Sequence, residues 1–252
     1  MTVTYDFTGR TVVVTGATRG IGKAMAIAYA QAGADLIVTG TKASAGDGYI
    51  PAIRAAGRTE PRYVEVDFDD SSSTDAFLRV LSDLPRLDVL VNNAGINRIN
   101  MVCDVSRSEY ESVMNVNLHG PYRCCQVAAR RMVESGYGRI LNVASIWSVI
   151  TKPGRSVYAV SKTGLLGLTR TLAVEVASRG VMVNALSPGF TLTELTQSTL
   201  SQDEIGILSD QVPAQRFAAP EEMAQVALFL TSDTNSYLTG QNIVVDGGFA
   251  HV

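Results

Sequence analysis

Seven short runs of apolar and β-branched residues recur along this 252-residue chain, separated by longer stretches of helical composition. The runs are TVVVT from Thr11, DLIVTG from Asp35, RYVEV from Arg62, LDVLV from Leu87, RILNV from Arg139, VMVNAL from Val181 and NIVV from Asn242. The segments IGKAMAIAYAQAG, STDAFLRVLSDL, SEYESVMNVNLHGPYRCCQVAARRMVES and VYAVSKTGLLGLTRTLAVEVAS lie between them and read as helices. Strands alternating with helices imply right-handed βαβ units and a parallel sheet covered on both faces. The pattern therefore predicts an α/β fold, a doubly wound seven-stranded parallel sheet in a single domain over residues 1–252. Such sheets bind ligands beyond the carboxyl ends of their strands, near the point where the strand order reverses.

The segment that follows the first run is Thr15-Gly16-Ala17-Thr18-Arg19-Gly20-Ile21-Gly22, and a helix opens within it. A strand, a turn poor in side chains and a helix N-terminus together aim backbone N–H groups and a positive dipole end at a diphosphate. The spacing G-x-x-x-G-x-G differs from the G-x-G-x-x-G fingerprint, so position along the fold carries this reading as much as the glycines do. The second run ends Val38-Thr39-Gly40-Thr41-Lys42, with no carboxylate to accept from a ribose 2′-hydroxyl. Arg19 and Lys42 are two cations suited to a 2′-phosphate, which favours NADP, with NAD as the alternative.

Tyr158 and Lys162 stand four residues apart in a helical segment and so share a face. An ammonium beside a phenol favours the phenolate and draws its pKa down toward a range useful for acid–base work. Hydride transfer to or from a carbonyl carbon leaves charge on oxygen, which calls for such a proton carrier and a fixed hydrogen-bond donor. Ser145, at the end of the fifth run, is placed to be that donor.

Together, TGATRGIG, Asp67 after the third run, Asn92-Asn93-Ala94-Gly95 after the fourth, Asn117, Ser145, Tyr158-x-x-x-Lys162 and Pro188-Gly189 resemble the short-chain dehydrogenase/reductase family over nearly the whole chain. The resemblance implies a Rossmann fold and an NAD(P)-dependent oxidoreductase. It implies that Tyr158 exchanges a proton with the substrate oxygen and that Ser145 positions that oxygen. Lys162 would stabilise the tyrosinate and hold the nicotinamide ribose, and Asn117 would hold a water linking Lys162 to solvent. It also implies cofactor contacts from Gly16, Thr18, Arg19, Gly20, Ile21, Gly22, Thr41, Lys42, Asp67, Phe68, Asn93, Ala94, Gly95, Pro188, Gly189, Thr191 and Thr193. Asn92 and Asn93 would equally suit a plain turn, and Asp67 would suit a helix N-cap. Residues of about 191–212 read as a substrate lid, or else as a surface helical insertion.

A net charge of −3 and a hydrophobic fraction of 46% argue against a nucleic-acid partner and against disorder. There is no apolar span of bilayer length and no signal-peptide pattern at MTVTYDFTGR, so a membrane association is not expected. Cys103, Cys124 and Cys125 are odd in number and fit a reducing, cytoplasmic compartment, and His119 and His251 stand apart with no metal-ligand spacing. In the family the helices around Tyr110–Met132 and Val157–Ala177 pair between subunits, which implies a homotetramer.

Two substrate classes remain open. VASRG at 176–180 and VPAQRFAAPEE from Val212 resemble 3-oxoacyl-carrier-protein reductases, but those commonly carry a basic residue where this chain has Val174, leaving Arg130 as half of a carrier-docking surface. NNAGINR at 92–98 and the ending GQNIVVDGGFAHV resemble dehydrogenases of sugars, sugar acids and polyols, which the reading favours. Arg98 could then pair with a substrate carboxylate or stand solvated in its loop, and Trp147 could wall the pocket or pack in the core. A dinucleotide-binding regulator without catalysis is a third reading, disfavoured because Asn117, Ser145, Tyr158 and Lys162 are all present.

Overall fold

The computed structural model describes residues 4–42, 46–57 and 59–252. Its strands are β1 (Thr11–Val14), β2 (Asp35–Gly40), β3 (Arg62–Glu65), β4 (Val89–Asn92), β5 (Gly138–Val143), β6 (Val181–Pro188) and β7 (Asn242–Val245). They form one sheet of order β3-β2-β1-β4-β5-β6-β7, parallel throughout. The chain builds outward from β1 to β3 and then returns to lay β4 on the other side of β1. That reversal puts the turns after β1 and β4 side by side.

Successive residues of a strand face opposite sides, and the core divides accordingly. Val12, Val14, Leu36, Val38, Val89 and Val91 face the layer of α1 (Gly20–Gln31), α2 (Gly46–Ala56) and α9 (Pro220–Thr231). Val13, Ile37, Leu90 and Ile140 face α3 (Ser71–Asp83), α5 (Gly120–Ser135) and α6 (Ser156–Val176). The apolar alternation of the strands is thus what requires helices on both faces.

The segment 108–135, read as one helix, is instead three pieces: α4 (Arg107–Met114), a π-helical turn (Asn115–His119) and α5. Pro121 has no N–H to give the carbonyl of Asn117, four residues back, and its ring would collide with it. The wider π turn accommodates this, with Gly120 N–H reaching Asn115 O. The segment of about 191–212 is also helical, as α7 (Glu194–Thr199) and α8 (Gln202–Asp210). Thr193 and Ser201 cap them by accepting from the amides of Thr196 and Glu204.

Candidate active site

The turn after β1 is locked to the turn after β4. Thr15 Oγ1 accepts from the amides of Asn93 and Ala94, each at 3.0 Å. Asn93 Nδ2 donates to the carbonyls of Thr15 and Gly16, also at 3.0 Å. Gly16 takes a φ of +64°, and a Cβ there would lie 2.8 Å from Ala94 Cα. A Cβ on Gly22 would lie 2.3 Å from Gly16 O. Only glycine lets the α1 N-terminus sit this close to the loop.

Arg19, the N-cap of α1, makes no side-chain cap, so the first-turn amides of the helix keep their dipole for a ligand. One of them is already engaged: Gly20 N–H donates to Glu194 Oε2 at 2.8 Å, and Lys23 Nζ lies 3.8 Å from Glu194 Oε1. Amide hydrogen bonds, Lys23 and Arg19 hold this carboxylate below its ordinary pKa. A carboxylate from the start of α7 therefore stands where the fold offers its donors to a diphosphate. The sequence reading missed it.

Thr18 packs its methyl against Gly40, where a Cβ would lie 2.4 Å away. Ile21 is half-buried against the α1 core layer. Thr41 and Lys42 are exposed at the end of β2, the Lys42 carbonyl accepting from Tyr63 Oη. Asp67 is exposed and does not cap α3; Asp70 does, accepting from Ser72 and Ser73. Phe68 turns its ring into the core, 6.0 Å from the Phe77 ring and against Gly120, which leaves its main chain alone for a ligand. The Asn93 Nδ2 donors are likewise both used in the loop.

At the end of β6, Gly189 abuts Asp246, where a Cβ would lie 2.6 Å from Asp246 Cα. Pro188 is the last residue of β6. Thr191 is buried, and its carbonyl accepts from Thr196 Oγ1 at 2.9 Å. Thr193 lays its methyl 3.1 Å from the position of a Gly20 Cβ, which joins the start of the segment of about 191–212 to the glycine loop.

The proton-transfer candidates converge beside this cleft. Ser145 follows β5, and its Oγ accepts from Trp147 N at 3.2 Å. Tyr158 and Lys162 occupy adjoining turns of α6, with Nζ 5.8 Å from the phenol ring centroid. Lys162 is buried and donates to Val143 O at 2.8 Å. Its ammonium keeps two further N–H donors. A Cβ on Gly95 would lie 3.3 Å from Nζ, so the bare glycine brings the turn after β4 onto the ammonium.

Asn117, fully buried, is fixed by three bonds: Nδ2 to Ile96 O at 2.9 Å and to Ser161 Oγ at 3.1 Å, and Oδ1 from Ile96 N at 2.8 Å. Ser161 Oγ in turn donates to Tyr158 O at 2.8 Å. The π turn, the β4 loop and α6 are thus tied together through one amide and one hydroxyl. Both Nδ2 donors of Asn117 are thus engaged, while Oδ1 keeps one lone pair. Ser161 carried no motif signal.

The electrostatics differ from the expected simple lowering of the phenol pKa. Burial raises the Tyr158 phenol, opposed by its interaction with Ser145 and by the charge of Arg155. Burial also pushes Lys162 down to about 8. Without a bound ligand, burial is the largest influence on both groups, and each is shifted toward its neutral form.

Trp147 is half-buried, its ring 6.4 Å from both Phe190 and Phe249. Arg98 is exposed, and the electrostatic interaction it makes is with Glu109 of α4.

The residues fit a dinucleotide: a glycine turn packed too closely on Ala94 and on itself to admit side chains, first-turn helix amides of which Glu194 holds one, and a buried ammonium reached across a third glycine. A family model described as Enoyl-(Acyl carrier protein) reductase matches residues 16–250. The chain belongs to the short-chain dehydrogenase/reductase family. Its relatives include the 3-oxoacyl-(acyl-carrier-protein) reductase of Aquifex aeolicus, 38% identical over 95% of this chain and 97% of that protein. Among solved structures, one assigned as an NAD(P)-dependent gluconate 5-dehydrogenase of Beutenbergia cavernae, with bound NADP, is 38% identical with a TM-score of 0.92, covering 98% of this chain and 99% of that one. Another, assigned as a gluconate dehydrogenase of Agrobacterium tumefaciens, is 33% identical with a TM-score of 0.92 over 100% of both chains. This family member is an NAD(P)-dependent oxidoreductase acting on CH–OH groups, and it takes a nicotinamide cofactor. Among the described residues no helix is long and apolar enough to cross a membrane, and no cluster of metal-ligating side chains is present.

Proposed function

We propose that this chain interconverts a secondary alcohol and a ketone on a small polar substrate, a sugar, sugar acid or polyol, with NADP preferred over NAD. The carrying observation is the convergence of Ser145, Tyr158 and Lys162 with Gly95 at the carboxyl ends of β4 and β5. The nicotinamide supplies or accepts the hydride. Tyr158 Oη gives the proton to the ketone oxygen, or removes it from the alcohol. Ser145 Oγ donates to the same oxygen and holds it in place. Lys162 stabilises the phenolate through its charge and uses its free donors on the ribose. Asn117, through Ser161 and Ile96, holds the π turn against α6 and keeps Tyr158 in position. Trp147 forms one wall of the substrate pocket.

The NADP preference is supported by the exposed Arg19 and Lys42 and by the absence of a carboxylate at the end of β2. The glycine-loop backbone from Gly16 to Gly22, the turn from Asn93 to Gly95, Asp67, and the segment from Pro188 to Thr193 complete the cofactor contacts, and the segment of about 191–212 serves as a lid.

The 3-oxoacyl-carrier reading is the second one, supported by the named relatives. Against it, Val174 is 83% exposed on the face where a basic docking residue would stand. Nicotinamide absorbance with aldonates, polyols and 3-oxoacyl thioesters, tried with both cofactors, separates the two. Turnover of thioesters alone would refute the first reading.

We also propose a cytoplasmic homotetramer. The three cysteines are free thiols. A groove of about 920 Å³ between α5 and α6, lined by Leu118, Tyr122, Ala129, Val133, Leu168 and Val176, offers an apolar face to a second copy. Light scattering is expected to give about four times the 26.9 kDa chain mass; a monomer would refute the assembly.

A further inference from the structure

The loop between Trp147 and α6 holds two cations over one aromatic ring. Lys152 Nζ lies 5.3 Å and Arg155 Cζ 5.6 Å from the Trp147 ring centroid. Among the described residues neither side chain makes a hydrogen bond or an ion pair, and Arg155 Nε is buried without a partner. Carboxylates are not scarce, since the chain carries 24 acidic against 21 basic residues. Arg10, Arg54, Arg86, Arg107, Arg123 and Arg216 each meet one. Two like charges held together, partly out of water and with no counter-ion, destabilise the free protein. Burial lowers the pKa of both groups, and Arg155 lowers that of Lys152 further.

The pair also stands beside the reacting groups. Arg155 is the N-cap of α6, three residues before Tyr158, and its charge acts on the Tyr158 phenol. Trp147 follows Ser145 by two residues, and Ser145 Oγ accepts its amide. The Trp147 ring also meets Phe190 and Phe249 edge to face, those two rings lying 5.0 Å apart, with Phe217 stacked on Phe190 at 5.1 Å. Trp147 is therefore the common neighbour of an aromatic cluster and of two cations.

We propose that Lys152 and Arg155 form an anion-recognition site of the substrate pocket, so that the substrate presents an anionic oxygen group, carboxylate or phosphate, to them while its carbinol carbon meets Tyr158 and Ser145. This rests on the polar-substrate reading above and narrows it to acids. The planar guanidinium offers paired donors to a two-oxygen anion, and the Lys152 ammonium adds a point charge. A neutral polyol leaves both cations uncompensated and binds more weakly.

Trp147 is the only tryptophan, so its fluorescence reports on this site alone and needs no turnover. Gluconate, gluconate 6-phosphate and neutral glucitol are titrated into the full chain with NADP present, for the parent and for Arg155→Gln, Arg155→Lys and Lys152→Gln. The expected result is saturable binding of at least one anion by the parent. Arg155→Gln raises its Kd about tenfold or more, as loss of one charge-assisted contact implies, and Arg155→Lys recovers part of the loss. Lys152→Gln, at an exposed position, gives a smaller rise, and added salt weakens anion binding but not glucitol binding. Gluconate and its phosphate separate the carboxylate source from the phosphate source. Glucitol binding as tight as that of both anions, no anion binding by the parent, or unchanged anion affinity in Arg155→Gln overturns the proposal. Turnover of 3-oxoacyl thioesters alone overturns the polar-substrate reading instead, whatever the fluorescence shows.

Discussion

Replacing Lys162 by Met is expected to make the cofactor-free protein more stable while removing its activity. Burial depresses the Lys162 pKa from 10.5 to about 8, so between those values the unfolded chain binds more protons than the folded one. Stability then rises with pH through that window, and below about 8 the full cost of the buried charge is present. A shift of about 2.5 units corresponds to roughly 3 kcal/mol at pH 7. Met fills similar space without charge but loses the 2.8 Å bond to Val143 O, which costs about 1–1.5 kcal/mol. The net gain is roughly 2 kcal/mol, a rise in Tm of about 4–8 °C for a chain of this size. Thermal unfolding without cofactor, at pH 7 and again near pH 10, measures this. At pH 10 the parent's ammonium is already neutral in the folded state, and the two proteins converge. A Met variant less stable than the parent at pH 7, or a gap unchanged at pH 10, would refute the reasoning. Retained turnover would remove Lys162 from the mechanism.

Three further outcomes follow from the same geometry. Tyr158→Phe keeps the ring and its packing and is expected to bind cofactor as the parent does while losing at least about a thousandfold in kcat, within the range acid–base catalysis contributes; equal rates in a nicotinamide absorbance assay would defeat the assignment. Glu194→Gln removes the charge that faces the α1 N-terminus but keeps the shape. NADP should bind about two- to fivefold more tightly, and weaker binding by fluorescence titration would show that the carboxylate helps the cofactor. Gly22→Ala forces a methyl to within 2.3 Å of Gly16 O, which should cost about 1–3 kcal/mol in thermal unfolding and weaken cofactor binding; a variant unchanged in both would mean that the loop moves freely.

What the sequence made legible, and what it hid, divides along physical lines. The central strands were readable because a parallel strand buried on both faces must be apolar along its length, as Val12 to Val14 and Val89 to Val91 are, and the edge strands β3 and β7, only partly buried, through β-branched residues such as Val64 and Ile243 to Val245. Helix α2 was not, since GDGYIPAIRAA carries two glycines and Pro51, and its packing comes from Tyr49 and Ile53 reaching the core rather than from propensity. The π turn was hidden for a related reason: the period of 108–135 is helical on both sides of Pro121, and only the missing donor at that residue marks the break.

At the site the same division decides which residues could be named. Gly16, Gly22 and Gly95 are visible because they stand in short glycine-containing turns directly after strands, although what crowds Gly16 and Gly95, Ala94 and Lys162, is known only from the fold. Ser161 is invisible because its part depends on an amide 44 residues away. The charged groups are the extreme case. Arg98 is exposed and interacts with Glu109, whereas Lys152 and Arg155 stand together over Trp147 with no counter-ion among the described residues, and Glu194 faces the glycine loop. A charge in a sequence says nothing of its neighbours. Whether it is paired or left without a counter-ion is a property of the folded arrangement, and in this chain that property separates Arg10 and Arg216, which meet carboxylates, from Lys152 and Arg155, which meet none among the described residues.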